Sequence, residues 1–128
     1  MSNRSVVVAT TPLDFTVTLA QFEAAAEHWH PHATLGPDVD MEADAVLFVE
    51  RPGEPAFQIF HFTGEDMLMT EGTAQQCAEV AIWAADAFPL SGPGQLWMTD
   101  QEYTGHTVLH PGMRVDEVWA GWHKHDLD

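Results

Sequence analysis

Between residues 45 and 70, three strand-like runs are joined by turns too short for a crossover. Residues 45–50 are rich in Val and Phe, residues 56–63 alternate two partly apolar faces, and residues 67–70 form a third run. Pro52-Gly53-Glu54-Pro55 separates the first pair and Gly64-Glu65 the second. A parallel pair needs a crossover of roughly a dozen residues or more, whereas antiparallel strands close through a tight turn. The spacing therefore predicts an antiparallel meander, and the rest of the chain must build around it.

The flanking segments carry their own signals. Val6, Val7 and Val8 predict a strand over 4–10, bounded by Pro12, because β-branched side chains suit a pleated surface. Thr18-x-x-Gln21 matches a capping box. Leu19, Phe22, Ala26 and Trp29 follow at spacings of three and four, so a helix is expected over 19–29. Pro31 stops it, since the ring pushes the preceding residue out of the helical region. Residues 34–44 read as a loop. Thr73-x-x-Gln76 is a second capping box, opening a helix that runs to Phe88 with Ala74, Cys77, Ala81, Ala84 and Phe88 as its core stripe. Residues 95–99 and 105–110 form a hairpin, and Val115, Val118 and Trp122 share one face of a short C-terminal helix. The order β-α-β-β-β-α-β-β-α predicts a single α+β domain over 1–128. Its sheet is mainly antiparallel, of about five to six strands, with two long helices and a short third on one face.

Charge narrows the function. The chain of 128 residues has 20 acids against 4 Lys and Arg, a formal charge of −16. Phosphate backbones and anionic lipids select Lys and Arg, so no nucleic acid or membrane partner is expected. No apolar run approaches the ~20 residues of a membrane span, and the N-terminus lacks a signal-peptide pattern, which predicts a cytoplasmic protein. Such acidity is compatible with folding here. Hydrophobic residues make up 45%, including five Trp and seven Phe, and acids never run beyond two in a row. That is a solvated surface, not an acidic tail.

The reactive side chains assemble no recognised motif, so no catalytic residue, metal or cofactor is assigned. His28-Trp29-His30-Pro31-His32 places three imidazoles on one side only if the segment is extended. His123-Lys124-His125 lies where fraying is expected. The acids of 38–44 lack the central Gly and terminal Glu of a calcium loop. Cys77 sits on an apolar stripe, where a thiol behaves as a small hydrophobe. One acid–base possibility remains, with His61, His106 and His110 lining a cleft beside Glu102 or Asp100.

Trp83 points elsewhere. On a helical wheel it falls between Glu79 and Asp86, about 140° from the core stripe, and Ile82 is displaced by about 120°. Two-sided cover of the helix would bury both. Left uncovered, Trp83, Glu79, Asp86 and Ile82 form an aromatic anchor with an acidic rim, the composition of a binding hot spot. These residues are expected to contact a basic protein partner or a second copy in a homodimer. In size, acidity and Trp content the chain is similar to the immunity proteins of bacterial toxin systems, which implies a small non-enzymatic inhibitor. Two alternatives stand beside this: a small-ligand or enzymatic domain built on the His/carboxylate cluster, and acidity that reflects high-salt adaptation.

Overall fold

The computed structural model describes residues 3–37 and 43–125. Eight strands form one sheet in the order β2-β3-β4-β5-β1-β6-β7-β8. They are β1 (Asn3–Ala9), β2 (Ala33–Gly36), β3 (Ala45–Val49), β4 (Phe57–His61), β5 (Met67–Gly72), β6 (Leu96–Asp100), β7 (Gly105–Leu109) and β8 (His123–Lys124). Every neighbouring pair is antiparallel. The meander of β3, β4 and β5 is present as expected, and β1 lies between β5 and β6, joining the meander to the hairpin.

Two strands beyond the expected five to six extend the sheet at its edges. The segment read as a loop begins with β2, and the C-terminal histidines lie in and beside β8 rather than in a frayed end. Both are short edge elements, held by hydrogen bonds to one neighbour. Ala33-Thr34-Leu35-Gly36 is too brief and mixed to carry a period-two signal, so register with β3 recruits it. The acidic positions 38–42, considered above as a calcium loop, lie outside the described residues.

The helices are α1 (Leu19–Ala25), α2 (Ala74–Ala87) and α3 (Val115–Ala120). α1 continues as a 3-10 turn, Ala26–Trp29, so the span 19–29 is helical throughout. Both predicted capping boxes form. Thr18 Oγ1 accepts from Gln21 N–H while Gln21 Oε1 accepts from Thr18 N–H, and Thr73 and Gln76 repeat the exchange. Each cap contributes about 1 kcal/mol by pairing N-terminal donors.

Alternation along the strands sorts the sheet into two faces. Val7, Leu47, Ile59, Leu68 and Met98 point to the helical side and pack with Phe22, Trp29, Val80, Ala84 and Val118 in the main core. Val6, Val46, Phe60 and Met69 point the other way and form a second, smaller cluster with Ala43. Among the described residues, no helical side chain belongs to that second cluster. Cys77 is buried on the helical side, where burial pushes its thiol pKa up.

Candidate functional site

The Trp83 expectation needs correction. Trp83 is only 5% exposed. Its ring meets Phe88, Trp29 and Phe22 edge-on, with centroids 5.4, 5.9 and 6.2 Å away. Helix α2 is covered on two sides, by the sheet beneath and by α1 with its 3-10 turn beside it. The residue that falls off one stripe therefore belongs to a second buried stripe. The neighbouring carboxylates also have internal partners. Glu79 Oε2 accepts from Arg51 Nη2 at 2.6 Å, and Asp86 Oδ1 accepts from Gly112 N–H at 2.9 Å. Arg51 lies over the rings of Trp29 and Phe57 and also reaches Glu54. The amide of Gln76, then Arg51, hold the Glu54 carboxyl below its ordinary range. Ile82 is half-buried against the core. The shallow hollow lined by Arg51, Glu79, Ile82, Trp83 and Asp86 has a buried Trp83 as its floor, with Glu79 and Ile82 half-buried and Asp86 exposed.

The three histidines proposed for acid–base chemistry do not meet. His61 is on the helical face and fully buried, with Nδ1 2.6 Å from Asp44 Oδ1 and Nε2 2.5 Å from the Val17 carbonyl. His106 is on the opposite face. Four strand spacings separate β4 from β7, roughly 19 Å across the sheet. His110 follows β7 and is exposed. The sequence could not show this, because shared parity within each strand says nothing about which face each strand turns inward. Among the described residues no three His, Cys, Asp or Glu side chains are grouped as metal ligands.

His106 has other partners. Its ring stacks on Trp97 at 3.7 Å, its Nδ1 lies 2.8 Å from His125 Nε2, and His123 is its cross-strand neighbour. His125 Nδ1 donates to the Tyr103 carbonyl at 2.6 Å. Burial, then the charges of His125 and His123, lower the His106 pKa below 6.5. The folded protein therefore binds this proton less readily than the unfolded chain does. Stability from His106 is complete above pH 6.5 and declines as pH falls from there toward the lowered folded value. Between pH 7.5 and about 5.5, wild type is expected to lose more melting temperature than His106→Gln. Parallel melting profiles for the two proteins would contradict this.

Two surfaces remain as interaction candidates. The first is a hollow of about 150 Å³ beside edge strand β2, lined by Glu23, Ala26, Glu27, His30, Ala33, Leu35 and Leu47. Leu35 is 40% exposed. Glu23 and Glu27, one helical turn apart, are both exposed. The i, i+4 spacing of these acids beside the Phe22, Ala26 and Trp29 stripe was visible in the sequence, but the apolar partner Leu35 comes from a strand that was not. The second is the helix-free face of the sheet, where Val8, Phe48, Trp97 and Val108 are half-buried around a buried row of Val6, Val46, Phe60 and Met69. A larger cleft, about 360 Å³, lies between Asn3, Arg4, Ser5, Cys77, Asp100, Trp119 and Trp122. Much of its wall has internal partners: Arg4 pairs with Glu71, Asp100 accepts from Thr104, and Trp119 Nε1 donates to the Ala74 carbonyl.

Fold and surfaces together define an α+β protein with helices on one face of an eight-stranded antiparallel sheet. Compared with protein-family models, curated proteins and solved structures, the chain matches none. No helix among the described residues is long and apolar enough to cross a membrane.

Proposed function

We propose that the protein is a non-enzymatic binding module for a basic protein partner, of the toxin-inhibitor type. The observation that carries this reading is how the charges are distributed. All three described arginines are already matched: Arg4 with Glu71, Arg51 with Glu54 and Glu79, Arg114 with Asp116 and Glu117. A large excess of carboxylate is left for the surroundings, within a formal charge of −16. Long-range attraction of this kind accelerates encounter with a cationic surface. Exposed Leu35 between Glu23 and Glu27 supplies an apolar contact inside an acidic rim, the combination first sought at Trp83.

The test is calorimetric titration with the basic proteins encoded beside its gene. A tight complex is expected that weakens as salt rises from about 0.05 to 0.3 M, through screening of its charges. Glu23→Lys with Glu27→Lys should weaken it at least tenfold, while Glu102→Lys on the distant β6–β7 hairpin should have a smaller effect. No binding, or binding indifferent to both salt and charge reversal, would overturn the reading. Strong stabilisation of the free protein by molar salt, with no basic partner found, would favour environmental acidity instead.

A further inference from the structure

The two edges of the sheet differ in what they leave open. At one edge, β8 has two residues, His123 and Lys124, and an edge lysine is a common guard against further strand pairing. At the other, β2 is Ala33-Thr34-Leu35-Gly36. It has no charge and no proline, and Pro31 and Pro37 lie outside it. Opposed residues of antiparallel strands alternate between pairs that exchange hydrogen bonds and pairs that do not. Glu50 N–H donates to the His32 carbonyl at 2.8 Å, and Thr34 opposite Phe48 and Gly36 opposite Val46 continue that phase. The N–H and C=O groups of Ala33 and Leu35 therefore turn away from β3. Among the described residues these four groups have no hydrogen-bond partner. Thr34 and Leu35 are exposed, so the edge is open to an incoming chain.

We infer that the basic partner adds an extended segment to β2 as a ninth strand, with lysine or arginine at alternate positions. This rests on the binding-module reading above and gives it a mode of recognition. In strand addition, main-chain bonds supply the ladder and alternate side chains select the partner. Here the ladder groups are those of Ala33 and Leu35. Leu35 lies opposite Leu47 on the helical face, where Glu23 and Glu27 line the adjoining hollow. An added strand continues the same pleat, so every second side chain falls on the side of those acids. These are the basic positions. On the other face Thr34 and Gly36 offer little bulk, and the Phe48 ring beside Gly36 is half-buried, which suits apolar residues in between. Charge disfavours a second copy as the occupant. Two chains joined edge to edge about a two-fold axis place both α1 helices on one side of the joined sheet, with acid next to acid.

The probe is a capped hexapeptide of alternating lysine and valine, titrated calorimetrically into the full chain at about 0.05 M salt. It should bind one to one with a dissociation constant below about 1 mM. The Ala33 and Leu35 amides should exchange with solvent deuterium at least about tenfold more slowly in the complex. N-methylation of one alternate set of peptide amides should weaken binding at least about tenfold, and methylation of the other set far less, because only every second N–H of an added strand faces β2. Leu35→Pro should weaken binding to the same degree with unchanged far-ultraviolet circular dichroism, since an edge strand accepts proline where the N–H points outward. Leu35→Val keeps that N–H and should bind. If Leu35→Pro fails to fold, the two methylated peptides carry the same test. Absence of peptide binding, equal effects of the two methylated sets, unprotected edge amides, or a folded Leu35→Pro that binds normally would each overturn the added strand. So would a dimer of the free protein that Leu35→Pro dissociates, which assigns the edge to a second copy. In each case titration with the basic partner itself, and its response to Glu23→Lys with Glu27→Lys, still judges the binding-module reading separately.

Discussion

Trp83→Ala is expected to destabilise the fold by about 3–5 kcal/mol, the cost of removing a large aromatic from a packed core. Trp83 is where three parts of the helical layer meet: Phe22 of α1, Trp29 of the 3-10 turn and Phe88 just beyond α2. Edge-to-face contacts of this kind add about 0.5–1.5 kcal/mol each beyond area burial. The surrounding rings are held by the sheet, so they collapse only partly into the vacated space. For a domain of this size each kcal/mol lowers the melting temperature by several degrees. Thermal and urea unfolding should therefore show a fall of at least about 10 °C, with Trp83→Phe losing less. A loss below about 1 kcal/mol would mean that the ring does not serve as a core anchor, and would return it to the surface role expected from the helical wheel.

His61→Ala should be comparably damaging, by about 3–5 kcal/mol, because it combines a cavity with broken polar contacts in the core. His61 bridges segments far apart in sequence: β4, Asp44 just before β3, and the Val17 carbonyl just before α1. Its ring also packs against Phe22 at 5.2 Å. His61→Phe divides the effect. It keeps the ring volume and the Phe22 contact but deprives the Val17 carbonyl and Asp44 of their partner, which should cost about 1–3 kcal/mol. Equal losses for Ala and Phe would place the whole effect in the polar contacts. A negligible loss for Phe would show that only packing matters. Asp44→Ala should be milder, because that carboxylate is 22% exposed and water takes over part of its solvation.

Local signals were sufficient wherever one segment contains its own physics. Thr18/Gln21 and Thr73/Gln76 cap their helices because the exchange involves backbone three residues away. The turns at 52–55 and 64–65 impose antiparallel pairing by length alone. Cys77, Ala81 and Ala84 are buried on a stripe defined by helical period. The candidate site was less legible. Leu35 entered the acidic hollow through β2, a strand stabilised by pairing with β3 rather than by its own four residues. The Val6-Val7-Val8 and Val46-Leu47-Phe48 runs did carry a second signal, since both faces of these strands are apolar.

The chain by itself determined the α+β class, the meander and both long helical spans, because periodicity and turn length are local properties. The tertiary structure alone decided that α2 is buried on two sides, that His61 and His106 face opposite ways, that edge strands complete an eight-stranded sheet, and that one apolar face is left without helices. Each of these depends on which elements become neighbours. A residue's position on its own helix or strand sets its direction, but burial is set by what lies in that direction, and here the neighbours come from distant parts of the chain.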